Sequence, residues 1–178
     1  GCGRGDFLEG FLALGLECHG VDLTPVAQRA GIKIRRVDFE KQRLPWKDKH
    51  FDVVFSKSVL EHLHHPTRYL DEIHRVLKPG GRFICMVPDW QSCMHIYFDD
   101  HTHVQPYTVR GLKDCLSIHG FQDAQAELFY QLPPLWKFPP LKIISRFLQF
   151  AGGPVKGIHP SKFIRWSREL MALGTGPR

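Results

Sequence analysis

A glycine at every second position opens the chain: Gly1-Cys2-Gly3-Arg4-Gly5-Asp6. A backbone stripped of Cβ atoms turns tightly and lets a ligand come close. Residues 7–14 mix apolar with small or polar side chains as a helix does, and a glycine loop running into a helix N-terminus suits a nucleotide-like or anionic ligand. Asp22 ends the short stretch Gly20-Val21-Asp22. A carboxylate about 20 residues beyond such a loop can accept hydrogen bonds from ribose hydroxyls. Further along, His62, His64, His65, Asp99, Asp100, His101 and His103 are candidates for taking a proton from a substrate. Histidine suits that task at neutral pH, which favours His62, His101 and His103.

Spacing separates two classes of nucleotide site. A dinucleotide fold wants G-x-G-x-x-G; here the third glycine comes one residue early and Asp6 stands in its place. The rest of the chain supplies the scaffold. Residues 18–22 read as a short strand. Thr24 and Pro25 then start a helix over 26–30 that Gly31 closes. Ile32, Ile34 and Val37 alternate in a third strand of the complete fold, with Asp38-Phe39-Glu40 at its carboxyl end. Residues 51–56 form a β-branched and aromatic strand. A helix begins at 59–63 and restarts at Pro66, with Tyr69, Leu70, Ile73, Val76 and Leu77 on one face. Lys78-Pro79-Gly80-Gly81 should end it, before a strand at 82–88. Residues 90–106 form a polar, His-rich loop. A helix over 108–119 turns Leu112, Cys115, Leu116 and Ile118 inward, and 126–130 is a strand. Pro133-Pro134 and Pro139-Pro140 frame a rigid linker, 141–150 is a short helix, and 169–173 is a last edge strand before Gly174. Strands alternating with helices imply a parallel sheet covered on both faces.

Gly1-Cys2-Gly3-Arg4-Gly5, Gly20-Val21-Asp22, Leu44-Pro45-Trp46, Phe51-Asp52-Val53-Val54, Val59-Leu60-Glu61-His62 and Arg75-Val76-Leu77-Lys78-Pro79-Gly80-Gly81 follow one another in order. Together they resemble the class I S-adenosylmethionine (SAM) methyltransferases, in particular the methyltransferase type 11 group, across most of residues 1–130. The resemblance implies an α/β, Rossmann-like fold. Its mostly parallel seven-stranded sheet would run 3-2-1-4-5-7-6, with strand 7 antiparallel and helices on both faces. The chain opens inside a motif, so the first strand is expected to be missing from it. Residues 1–178 would form a single SAM-binding domain, with 131–168 as a cap or insertion on the acceptor side. Gly1, Gly3 and Gly5 would pass close to the methionine part of SAM and Asp22 would hold the ribose. Asp38 would accept from the adenine amino group, and Phe39 and Leu23 would cover the adenine faces. Ser56 and Lys57 would line the methionine end. Asp38 as a turn cap and Phe39 as a core residue are the alternatives. The implied activity is methyl transfer to a small-molecule, sugar or lipid-linked acceptor, through a hydroxyl. A non-catalytic binding domain of the same fold, and a nicotinamide-dependent oxidoreductase, stay open beside it.

Composition narrows the rest. With 178 residues, 43% hydrophobic and 24% charged, the chain can bury one sizeable core. It has no run of about 18 apolar residues, so a spanning helix is not expected. Five cysteines without a C-x-x-C pair argue against a zinc site or disulfide framework and for a reducing, cytoplasmic compartment. Glu61-His62 and His101-x-His103 are the pairs a metal would use. Glu61-His62 resembles the Glu-His step of the quinone-biosynthesis O-methyltransferases, where metal binding is implied; those carry a further Glu where this chain has Lys57, a poor ligand, so no metal is expected, and Glu61 reads as a helix-start or packing residue. The net charge of +6 is scattered and not interleaved with aromatics, so no nucleic-acid partner is expected. Trp136-Lys137-Phe138 and 143–150 do bring aromatic and basic groups together. Residues 135–150 could therefore touch a membrane surface or lipid-linked acceptor, or pack as a cap.

Overall fold

Strand-forming runs and one-sided helices alternate in the computed structural model, which describes residues 1–24, 32–144, 147 and 170–178. Among these residues the order is α1 (Asp6–Ala13), β1 (His19–Asp22), β2 (Lys33–Arg36), β3 (Phe51–Lys57), α2 (Pro66–Val76), β4 (Leu77–Pro88), α3 (Trp90–Cys93), α4 (Val109–Ile118), β5 (Gln125–Phe129), α5 (Pro133–Lys137) and β6 (Met171–Pro177), with 3-10 turns at Leu60–His62 and Tyr97–Asp99. The expected helix at 26–30, the end of the helix expected to reach 150 and residues 151–169 lie outside the described residues.

The strands fall into two sheets. β1 and β2 pair in parallel, while the larger sheet runs β3-β4-β6-β5. In it β3 and β4 are parallel and β6 is antiparallel to both neighbours. The described residues thus form a mixed, mostly α/β arrangement in two sheets of two and four strands, where one seven-stranded sheet was expected. The glycine loop hangs on the smaller sheet, where the Cys2 N–H donates to the Val21 carbonyl at 2.9 Å, and an aromatic cluster joins the two sheets, with the His19 ring 5.6–5.9 Å from Trp46, His50 and Phe51.

α2 starts at Pro66, where a missing N–H costs nothing. It buries Tyr69, Leu70, Ile73 and Val76 on one stripe, against the core that Phe83, Cys85 and Val87 supply from β4. The expected stop at Lys78–Gly81 is corrected: the helix ends at Val76, and Leu77, wholly buried, is already extended and paired with Phe51. Gly81 allows this join, because a Cβ there would meet the carbonyls of Lys78, Asp52 and Phe51 at 2.9–3.1 Å.

Three further expectations change. β6 is an interior strand that continues through Gly174 to Pro177, and β5 is the edge. Ile118 is 81% exposed: two residues past Leu116 it sits about 200° around the helix, away from the buried face. Pro133 and Pro134 occupy the first turn of α5 instead of a linker, which suits a residue with a preset φ and no donor.

One ion-pair network ties the loop before β3 to α2. Arg75 donates to both Glu72 oxygens at 2.7 and 2.9 Å, to Asp48 at 2.8 Å and to the carbonyls of Trp46 and Leu44. Glu72 also accepts from the Leu44 N–H and from Arg43. Burial pushes the Glu72 carboxyl up, but these donors prevail and hold it at about 2, below its ordinary 4.5. A carboxylate depressed on folding stabilises the fold above its unfolded pKa, and that contribution fades as pH falls from about 4.5 toward 2. Glu72→Gln should therefore be less stable than wild type at pH 6 by on the order of 1–2 kcal/mol, since solvent screens part of the shift. The gap should close toward pH 2.5. Urea unfolding at the two pH values checks this; a gap that does not change with pH would assign the loss to packing.

Candidate cofactor cradle and histidine cluster

The opening loop is a closed turn. The Gly5 N–H donates to the Cys2 carbonyl at 2.9 Å, and Gly3 and Gly5 have φ of +52° and +87°, conformations that favour glycine. Gly5 caps α1 without a side chain. A Cβ on Gly1 would lie 2.5 Å from a Val59 methyl, whereas nothing stands within 4 Å of the same point on Gly3. The loop is thus packed against Val59 on one side and open above Gly3.

Asp22 holds this turn in place. One carboxylate oxygen accepts from the Gly3 N–H at 2.8 Å and the other from the Thr24 N–H at 3.0 Å. Each keeps a second lone pair, and the residue is half-buried. Leu23 beside it is 54% exposed. The Val37 N–H donates to the Asp22 carbonyl at 2.9 Å, so Asp38 begins one residue past the same edge. Asp38 caps its own turn, accepting from the Glu40 N–H at 3.0 Å and pairing with Lys41 at 3.3 Å. Slight desolvation raises its carboxyl, and these donors outweigh it, leaving it below the usual range. The Phe39 ring is half-buried, 5.0 Å from Tyr69 and packed on the core.

Ser56 and Lys57 end β3 and point to opposite faces, as neighbours on a strand must. Ser56 is buried and its hydroxyl accepts from Tyr69 at 2.9 Å. Lys57 donates to Gln131 at 2.9 Å and lies 4.9 Å over the Phe7 ring, where burial lowers its pKa.

Just past β3, Ser58 takes a left-handed φ of 53° and the chain folds into the Leu60–His62 turn. Glu61 there is 0% exposed. Its carbonyl accepts from the N–H groups of Val104 and Gln105 at 2.8 and 3.0 Å, which draws the His-rich loop onto the turn. His103 donates from Nδ1 to the Tyr97 carbonyl at 2.7 Å. His62 Nδ1 lies 2.9 Å from the Thr102 hydroxyl, which itself donates to Asp100 at 2.6 Å. The two imidazole rings are 4.9 Å apart. His101 is exposed and stands outside this group. Glu61 does more here than start a helix or pack. Neither carboxylate oxygen makes a well-formed hydrogen bond; burial pushes the carboxyl up to about 7, against weaker pulls from its own N–H and the Ser58 hydroxyl, which lie near it without closing a good bond. A carboxylate inside the apolar run Val59-Leu60-Glu61 was the available signal. Asp89, at the end of β4, is a second buried carboxyl; it caps α3 by accepting from the Ser92 N–H at 2.9 Å.

A family model described as a methyltransferase domain, Methyltransf_11, matches residues 1–85. The chain is 29% identical over 153 residues to uncharacterized protein MJ0638 of Methanocaldococcus jannaschii, covering 84% of this chain and 65% of that protein. It is 34% identical over 93 residues to the ubiquinone biosynthesis O-methyltransferase of Cereibacter sphaeroides, covering 48% and 38% respectively. The chain therefore spans about two thirds of the first relative and well under half of the second. A SAM-dependent methyltransferase from Archaeoglobus fulgidus shares the fold, with a TM-score of 0.71 at 21% identity over 100% of this chain and 83% of that one. The glycine turn and the acidic strand end lie within the matched residues 1–85, over which the chain is similar to the type 11 methyltransferases, and its fold is that of the SAM-dependent methyltransferase neighbour.

Proposed function

We propose that this chain transfers a methyl group from SAM to a hydroxyl of a small-molecule, sugar or lipid-linked acceptor. The observation that carries the reading is the Asp22 clamp: one carboxylate fixes the glycine turn and keeps lone pairs free at the end of β1. The residues fit the cofactor, since the space above Gly3 is open to a ligand's approach along the backbone. SAM, when bound, supplies a methyl already activated by its sulfonium.

The chain's own part is alignment and proton handling. Asp22 accepts from the ribose hydroxyls, and the Cβ-free backbone at Gly1, Gly3 and Gly5 passes close to the methionine part. Leu23 covers the adenine, Asp38 and Phe39 edge it, and Lys57 lines the methionine end, with Ser56 behind it in the core. The acceptor's proton leaves toward the group formed by Glu61, His62 and His103, which begins two residues past the Val59–Gly1 contact. His101, exposed and outside this group, is left without a part in it. The similarity to an O-methyltransferase and to a SAM-dependent methyltransferase structure supports the same chemistry.

The lipid-linked version of the acceptor draws on exposed Trp136, Phe138, Ile143 and Phe147 beside Lys137 and Lys142, an arrangement that suits an interface. No helix among the described residues is long and apolar enough to cross a membrane. Calorimetric titration with SAM should give a saturable heat with one site per chain. Labelled SAM with a panel of hydroxyl compounds should then label product. Absence of heat at millimolar SAM in folded protein would remove the proposal; binding without any turnover would leave a binding domain in its place.

A further inference from the structure

We infer that residues 135–147 form a docking surface for an anionic lipid bilayer. The expectation of a scattered positive charge changes when the chain is divided by segment. Residues 128–168 hold seven Lys and Arg and no Asp or Glu. The other residues carry the remaining 17 of the 24 Lys and Arg against all 18 Asp and Glu, so this one stretch accounts for the whole positive balance. It lies beyond residues 1–85, outside the part matched to the methyltransferase domain.

Apolar side chains stand out of the body within the same stretch. Trp136, Phe138, Ile143, Ile144 and Phe147 are 51–73% exposed. Residues 141–144 and 147 are helical, and at about 100° per residue Ile143, Ile144 and Phe147 form a single stripe. Contacts to the body order this patch in advance. Leu132 and Leu135 are buried. The Trp136 Nε1–H donates to the Tyr130 carbonyl at 2.7 Å, and Lys142 Nζ lies 5.8 Å over the Tyr130 ring. A free helix this short is marginal in water; one already held by the body does not bear that ordering cost on binding.

Lys137 and Lys142 are exposed and alternate with these side chains. Rings and aliphatic groups can enter the acyl boundary while the ammonium heads reach the phosphates. Single-stranded nucleic acid wants rings to stack on and a groove of cations along the backbone; exposed Ile143 and Ile144 supply neither. Grouped apolar exposure inside an acid-free basic segment finds its complement in an anionic bilayer. The segment leaves the body beside the cradle, where Gln131 accepts from Lys57 Nζ at 2.9 Å. A bilayer on this face would bring a lipid-linked acceptor toward the methionine end. That consequence rests on the methyl-transfer reading; the docking does not.

The test is co-sedimentation of the chain, without SAM, with phosphatidylcholine vesicles and with vesicles also containing about 30% phosphatidylglycerol. Wild type should bind the anionic vesicles roughly tenfold or more tightly than the neutral ones, and added salt should weaken that binding. Lys137→Glu combined with Lys142→Glu should lose roughly tenfold or more. Phe138→Ser combined with Ile143→Ser should lose about as much. All four positions are exposed, so far-UV circular dichroism should stay that of wild type. Ile118→Ser, at an exposed apolar residue elsewhere, should leave vesicle binding unchanged. Binding that is absent, equal for both vesicles, or unaltered in both patch variants overturns the inference. So does tighter binding to a single-stranded RNA, which would assign the segment to nucleic acid. A dimer that dissociates in the Phe138/Ile143 variant, without vesicle binding, overturns it in favour of a second copy. If SAM binds and vesicles do not, the docking fails alone; if vesicles bind and SAM does not, the methyl-transfer reading fails alone.

Discussion

Asp22→Ala should weaken SAM binding by at least 100-fold. Two losses combine. The ribose hydroxyls lose a charged acceptor, and a hydrogen bond to a charged group contributes about 1.5–3 kcal/mol. The turn also loses its anchor, because the Gly3 and Thr24 N–H groups both end on this carboxylate. A loop that has to be ordered on binding adds a further entropic cost, and each 1.4 kcal/mol is a factor of ten. Asp22→Asn separates the two contributions. Its amide oxygen can still accept from one backbone N–H, but its NH₂ cannot accept from a ribose hydroxyl. An intermediate loss, roughly tenfold, is expected for it. Calorimetry on both variants, alongside far-UV circular dichroism to confirm folding, measures the effect. Asp22→Ala binding SAM within threefold of wild type would mean the carboxylate serves the loop only, and the ligand lies elsewhere.

What could be read from the residues follows from how local each cause is. The glycine turn was legible because a missing Cβ and a positive φ are properties of single residues: Gly3 and Gly5 adopt the left-handed backbone their type permits. α2 was legible because Tyr69, Leu70, Ile73 and Val76 recur at helical spacing, and β3 because its run is β-branched and aromatic. Sidedness was harder. Ser56 and Lys57 read as one lining pair, yet consecutive strand residues face opposite ways, and Tyr69 on α2 claims Ser56. Asp38 and Phe39 took the local roles open to them, a turn cap and a core ring, which leaves any adenine contact to their remaining edges. Glu61 was least legible of all. Its burial depends on a loop some 40 residues later, through Val104 and Gln105, and no periodicity in the chain announces that return.

The same dependence on distant contacts decides the last strand, and Gly174→Val is the substitution that exposes it. An edge strand ending at Gly174 would accept valine there with little effect. The observed β6 lies between β4 and β5, with Gly174 opposite Cys85 on one side and Ala126 on the other. A Cβ at this point would sit 2.9 Å from Leu112 Cδ2 and 2.9 Å from Leu116 Cδ1. Both leucines are wholly buried on α4 and have nowhere to retreat. Valine adds two further methyl groups beyond that Cβ, so α4 must lift from the sheet or β6 must shift against two partners. Overpacking of a closed core typically costs about 1–3 kcal/mol, and the double clash places this case at the upper end. Thr175, one residue on, faces the other side of the sheet, and Thr175→Val should change stability by no more than about 0.5 kcal/mol. Chemical denaturation of the pair gives the comparison. Equal stability of the two variants would be incompatible with an interior β6 packed beneath α4. A loss confined to Gly174→Val would tie the end of the chain into the same core that positions the end of β4.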